Sequence, residues 1–63
     1  MKYREIIRLV EKDGWYVHRS KGSHHVFKHP SKPGIVIIAI HRQSDDVPKG
    51  TENSILKQAG LKN

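Results

Sequence analysis

Six consecutive apolar residues, Ile35 to Ile40, form the longest hydrophobic run of the chain and constrain its fold more than any other feature. Nearly all of them are β-branched, which favours an extended strand over a helix. The run is far shorter than the roughly 20 residues that a membrane-spanning helix requires. We therefore expect residues 35–40 to form a central strand that is buried on at least one face.

Two amphipathic segments predict helices at the two ends of the chain. Apolar residues recur at helical spacing from Tyr3 to Val10, and Gly14 suits the left-handed position that ends a helix, so a first helix is expected over about residues 2–13. A second helix is expected to start near Pro48 and to end at Gly60.

Two further segments, residues 15–19 and 24–28, are rich in strand-forming residues and flank a tight turn at Lys21-Gly22. The predicted order of elements is therefore α-β-β-β-α, with no repeat or linker. The simplest arrangement that buries two amphipathic helices is an α+β fold, in which both pack on one face of a three-stranded antiparallel sheet. Residues 1–63 are expected to form a single domain.

The composition excludes several classes of protein. The chain contains no cysteine, which rules out disulfide bonds and zinc sites built on thiolates. Its N-terminus, Met-Lys-Tyr-Arg-Glu, lacks the apolar segment of a secretory signal peptide. These features predict a small soluble domain that works in the cytoplasm and does not bind a membrane.

Charge is distributed unevenly along the sequence. The formal net charge is +6, and all six acidic residues lie at the two ends, so that residues 14–44 contain none. Five lysines and arginines and all five histidines lie in this middle segment. A field of one sign attracts polyanions, of which RNA and DNA are the commonest, although a small basic domain can also be merely soluble.

The histidines raise the question of a metal site. His25 and His29 have a spacing typical of metal ligands on a helix, but in a strand four residues span about 13 Å. One ion with nitrogen ligands at about 2 Å does not bridge that distance. His24 and His25 are adjacent and point to opposite faces of a strand. A site assembled from different strands, for example with His41, stays open, but we expect neither a metal ion nor another cofactor.

Two of the histidines follow residues that suit catalysis on RNA. Gly22 lets the backbone approach a ligand, Ser23 offers a hydroxyl and Lys21 a fixed positive charge. Histidine titrates near neutral pH and can exchange a proton with a ribose 2′-hydroxyl or a leaving oxygen. His24 and His25 are therefore candidate catalysts, whereas His18 and His29 are interpreted as exposed and incidental.

Two long segments, "DGWYVHRSKGSHHVFKHP" and "VIIAIHRQSDDVPKGTENSILKQAGL", closely resemble the HicA toxins, the messenger-RNA interferases of HicA–HicB toxin–antitoxin pairs. The most specific parts are Gly14-Trp15, the Gly-Ser-x-His pattern that ends at His25, the region of His41, Gly50-Thr51, and the closing residues 55–61. The resemblance implies a fold like that of double-stranded-RNA-binding domains, RNA cleavage that depends on His25, and an antitoxin that covers the active face.

From this resemblance and the charge pattern we expect the chain to be a metal-independent endoribonuclease that cleaves messenger RNA. His25 is the expected general acid or base, and His41 is the candidate for a second one. The alternative is a non-catalytic module that binds double-stranded RNA, which needs cations but no histidine. The residues expected to contact RNA are Arg19, Lys21, Gly22, Ser23, His24 and Lys28.

Overall fold

The computed structural model describes residues 1–62 and contains two helices and three strands. The predicted order α-β-β-β-α and the α+β class are confirmed, with boundaries that differ from the expected ones by at most two residues. In chain order the elements are α1 (Tyr3–Lys12), β1 (Tyr16–Lys21), β2 (His24–Lys28), β3 (Val36–Ala39) and α2 (Lys49–Gln58).

Both helices end in the same glycine motif. At the end of α1, the Gly14 amide donates to the Glu11 carbonyl at 3.0 Å and the Trp15 amide donates to the Val10 carbonyl at 3.0 Å. Gly14 has a φ of 111°, and Gly60 at the end of α2 has a φ of 73°. The two amide bonds and the positive φ together form a Schellman motif, which satisfies helix carbonyls that would otherwise lack donors.

The three strands form an antiparallel sheet in the order β1-β2-β3. The strand rich in isoleucine is therefore an edge strand, and the expectation of a central position was wrong. Its apolar run reflects burial on one face only, because Val36 and Ile38 are buried while Ile37 is 44% exposed. At the free edge, the Ile37 amide donates to the side-chain oxygen of Gln58 at 3.3 Å, which leaves less of the edge open to pairing with another strand.

Both helices pack on one face of the sheet, as predicted. We call this the inner face; Phe27, Val36 and Ile38 point into it, and the other face is the outer face. No helix of residues 1–62 covers the outer face, where Ile35 and Ile37 are each 44% exposed. The buried core consists of Ile6, Val10, Trp15, Phe27, Val36, Ile38, Val47, Ile55 and Ala59.

His29 is part of the fold and not an exposed, incidental residue as the sequence suggested. Its side chain is 8% exposed and lies edge-on to the Trp15 ring, with ring centroids 5.2 Å apart. Its Nε2–H donates to the Asp13 carbonyl at 2.7 Å, while Nδ1 accepts from the amides of Ser31 at 3.0 Å and Lys32 at 3.1 Å. These bonds fasten the turn after β2 to the end of α1.

The C-terminal ends of the two helices are joined by side chains from elsewhere in the chain. Trp15 Nε1–H donates to the Ala59 carbonyl at 3.3 Å, and Lys32 Nζ donates to the same carbonyl at 3.2 Å. Lys32 also forms an ion pair with Asp13. A cation at a helix C-terminus interacts favourably with the helix dipole, so Lys32 stabilises both helix ends at once.

Candidate nucleic-acid interface at the end of the hairpin

The β1–β2 hairpin closes with a two-residue turn, Gly22-Ser23, between the paired residues Lys21 and His24. Gly22 has a φ of 58°, and Ser23 does not have a positive φ. A glycine with positive φ in the first turn position matches a type II′ turn, which suits the twist of a hairpin. A Cβ atom built on Gly22 would have no atom within 4 Å, so a ligand can approach the backbone closely here.

His25 lies on the inner face of β2, opposite Ser20 of β1 and Ile38 of β3. Its side chain is partly buried. Ser20 Oγ lies 2.9 Å from His25 Nδ1, within hydrogen-bonding distance. Within residues 1–62, Nε2 of this ring has no hydrogen-bond partner, so it is the nitrogen that can exchange a proton with a ligand.

A β-bulge in β1 determines which side chains share a face with His25. The pairing register shifts between Val17 and Arg19, so His18 is an extra residue without a partner on β2. Strict alternation from Val17 would place Arg19 on the inner face and Ser20 on the outer one. The bulge reverses this phase and brings Ser20 to the inner face beside His25.

The basic side chains of the hairpin lie on the outer face. Arg19 pairs with Val26, and Lys21 pairs with His24, all of them on the face opposite His25. Together with Ser20, these four residues line a concave patch near the end of the hairpin. Lys28 lies farther along the same face, opposite Tyr16. Four of the residues predicted to contact RNA, Arg19, Lys21, His24 and Lys28, therefore do not share a face with His25. The other two, Gly22 and Ser23, form the turn between the two faces.

His41 lies in the exposed loop that follows β3. The preceding residue, Ile40, donates its amide to the Ser23 carbonyl at 2.7 Å, which attaches this loop to the hairpin turn. No hydrogen bond joins His41 to His25 within the described part of the chain. The hydrogen bond of Ile40 thus brings the backbone next to His41 close to the turn, but no hydrogen bond among the described residues holds the His41 side chain against His25.

The described residues contain no group of three or more histidine, cysteine, aspartate or glutamate side chains that could hold a metal ion. His24 and His25 lie on opposite faces, as their adjacency in a strand predicted. Both ring nitrogens of His29 are engaged by the backbone, so this residue does not form a ligand pair with His25.

Ser20 is the residue that the sequence analysis did not identify. A serine five positions before a histidine is no recognised catalytic pattern, and its position beside His25 depends on the bulge at His18. This sequence has no strong signature of a bulge, so it did not show on which face of the sheet the Ser20 side chain lies.

The chain was also compared with known protein families. The sequence model of the HicA toxin of bacterial toxin–antitoxin systems matches residues 3–61 of the chain. The chain belongs to the HicA toxin family. It is thus a toxin of a toxin–antitoxin pair, and the class of its protein partner is an antitoxin. No curated protein matches the sequence. In the described part of this HicA-family chain, no helix has the length and apolar character needed to cross a membrane.

Proposed function

We propose that this HicA-family chain is a metal-independent endoribonuclease that cleaves messenger RNA, with His25 as the general acid or base. The observation that supports this most is the state of the His25 ring. Nδ1 lies within hydrogen-bonding distance of Ser20 Oγ, whereas Nε2 has no partner within residues 1–62. The ring lies near the end of a hairpin that carries lysines and arginines but no acidic residue. A histidine whose orientation is fixed and whose second nitrogen can reach a ligand meets the geometric needs of proton transfer.

The RNA strand is proposed to pass around the end of the hairpin. Arg19, Lys21, His24 and Lys28 line the outer face, whereas His25 is on the inner face, so a strand that bends over Gly22-Ser23 would reach both groups. The open space at Gly22 permits this path. The outer cations would hold phosphates that flank the cleaved one, which makes binding sensitive to salt.

The proposed reaction is transfer of a phosphoryl group within the RNA. His25 Nε2 takes the proton of a ribose 2′-hydroxyl, and the 2′-oxygen forms a bond to the adjacent phosphorus. The bond from phosphorus to the 5′-oxygen of the next nucleotide breaks, and that oxygen takes a proton from His41 or from water. The products are a 2′,3′-cyclic phosphate and a 5′-hydroxyl. Lys21, the amides of Gly22 and Ser23, and the Ser23 hydroxyl are the groups proposed to stabilise the charged intermediate.

The group that protonates the leaving 5′-oxygen is the part of this site that the structure defines least. His41 is the candidate, and the bond from Ile40 to Ser23 brings its loop to the hairpin turn. Because His41 is exposed and makes no hydrogen bond with His25 within residues 1–62, an acid held in place is absent from the described residues. One positioned acid or base contributes about 10²- to 10⁴-fold to a rate, so we expect a slow enzyme. A slow enzyme suits a toxin, since few cuts inactivate a message.

The antitoxin is proposed to cover the end of the hairpin, where it would block both His25 and the outer cations. Residues 14–44 contain no acidic side chain, so an acidic partner surface would complement this region. Since messenger RNA is the proposed substrate, the toxin would act in the cytoplasm.

The proposal is tested with purified protein and RNA labelled at its 5′ end, incubated in EDTA. We expect fragments that end in a 2′,3′-cyclic phosphate, and we expect none with His25→Ala. His18→Ala is the matched control, because His18 is exposed in the bulge and makes no hydrogen bond in the described chain. Salt-sensitive binding without cleavage would instead favour the non-catalytic RNA-binding module. Activity that EDTA removes and a divalent ion restores would contradict the metal-independent mechanism.

A further inference from the structure

We infer that Ser20 is a positioning residue for His25 and that it selects the ring tautomer that can act as a base. This inference rests on the proposed function, since it assigns Ser20 a role in the same reaction. It depends on two observations: Ser20 Oγ lies 2.9 Å from His25 Nδ1, and the bulge at His18 brings Ser20 to that face.

The proton on a neutral imidazole can lie on either nitrogen, and a serine hydroxyl can pair with Nδ1 in both tautomers, as acceptor from Nδ1–H or as donor to the bare nitrogen. We assign Ser20 the acceptor role, because the proposed reaction requires it. His25 accepts a proton from a 2′-hydroxyl only when Nε2 carries a lone pair, so the proton must then lie on Nδ1. In this tautomer Nδ1–H donates to Ser20 Oγ, and the serine hydroxyl donates outward to water. The imidazolium formed after proton transfer keeps the same bond, so Ser20 need not move during the reaction.

The surroundings of Ser20 argue against a role in folding. Ser20 is exposed, lies on the edge strand β1 and makes no other side-chain hydrogen bond within residues 1–62. The adjacent residues of β1 are also exposed. Its hydroxyl therefore contributes little to the core, and its contact with His25 is the feature to be explained. His25 has Ile38 on its other side, which offers no side-chain hydrogen-bonding group, so within residues 1–62 the ring is hydrogen-bonded through Ser20.

The test compares Ser20→Ala with Ser20→Thr, which keeps a hydroxyl and suits a strand. Ser44→Ala, in the exposed loop after β3, is the matched control. Two quantities are measured: the tautomer of His25, from the ¹⁵N shifts of its two ring nitrogens, and the rate of RNA cleavage in EDTA. We expect Ser20→Ala to move the ring proton from Nδ1 towards Nε2 and to slow cleavage about three- to tenfold, the equivalent of one ordinary hydrogen bond. Ser20→Thr should restore both.

The outcomes separate this inference from the proposed function. If the wild type cleaves RNA through His25 but Ser20→Ala keeps both its rate and its tautomer, the role of Ser20 is refuted and the proposed function stands. If Ser20→Ala slows cleavage while the tautomer is unchanged, or if Ser20→Thr fails to restore it, the positioning role is also refuted. If the wild type does not cleave RNA at all, the proposed function fails and the inference fails with it, whatever the tautomer.

Discussion

His29 Nε2–H donates to the carbonyl of Asp13 at 2.7 Å, across the space above Gly14. Asp13 is the C-cap residue that follows α1, and the bond joins it to the segment that follows β2. The ring fits because the intervening glycine has no side chain. This explains why a glycine and a tryptophan follow the helix directly: the first leaves room for His29, and the second packs against its ring edge-on.

Replacing Gly14 with alanine should destabilise the protein strongly. A Cβ atom at this position would lie 2.7 Å from His29 Nε2, and the φ of 111° is unfavourable for any residue with a side chain. We expect a loss of about 2–4 kcal/mol in the free energy of unfolding, measured by urea denaturation. Gly50→Ala is the matched control. Gly50 lies in α2 with no atom near its missing Cβ, so alanine there should be neutral or stabilise by up to about 1 kcal/mol. Equal losses for both variants would contradict this explanation.

The Asp13 carboxylate should make stability depend on acidity. The hydrogen bond from Lys32 lowers the pKa of Asp13 below its ordinary value of 3.8. Because the folded state favours the ionised form, this contribution is fully present above the unfolded pKa and is lost as the pH falls through the folded one. We expect Asp13→Asn to lower the melting temperature at pH 7 and to flatten its decline below about pH 4. Asp45→Asn, at an exposed loop position, should follow the wild-type curve. Parallel curves for Asp13→Asn and the wild type would refute this role.

The ends of the helices were predictable because the chemistry that sets them is local. A glycine after an amphipathic run is enough to predict a helix end, and both Gly14 and Gly60 have the positive φ that this requires. The opposite orientation of His24 and His25 follows in the same way from alternation along a strand. The role of His29 was not predictable, because its partner lies 16 residues away and only the fold brings them together.

The division of the hairpin into two chemically different faces could not be predicted for a related reason. One extra residue in β1 reverses the orientation of every side chain after it, so Arg19 and Lys21 lie on the outer face and Ser20 on the inner one. The sequence placed Lys21 and His25 close to one turn, and the structure has both of them next to it. It did not reveal that the turn separates them, since a bulge depends on pairing with the neighbouring strand.

The proposal that RNA passes over the hairpin turn can be tested by comparing two glycines that both have a positive φ and open space around the missing Cβ. Gly22 and Gly34 have φ values of 58° and 84°, and neither has an atom within 4 Å of its missing Cβ. We expect alanine at either position to cost about 1 kcal/mol in unfolding free energy, because the strain is the same. Only Gly22→Ala should weaken RNA binding, measured by the dissociation constant at fixed salt. Equal dissociation constants for the two variants would show that RNA does not pass over this turn.

The most direct test of the account compares the single-turnover rates of RNA cleavage by His25→Ala and His24→Ala. These neighbours each lose one imidazole, but they lie on opposite faces of β2, and circular dichroism would verify that both variants are folded. The account predicts a loss of at least about 100-fold for His25→Ala, as expected for a general base. It predicts less than about tenfold for His24→Ala, which would remove only a phosphate contact. Cleavage at the wild-type rate by His25→Ala, or an equal loss in both variants, would contradict it.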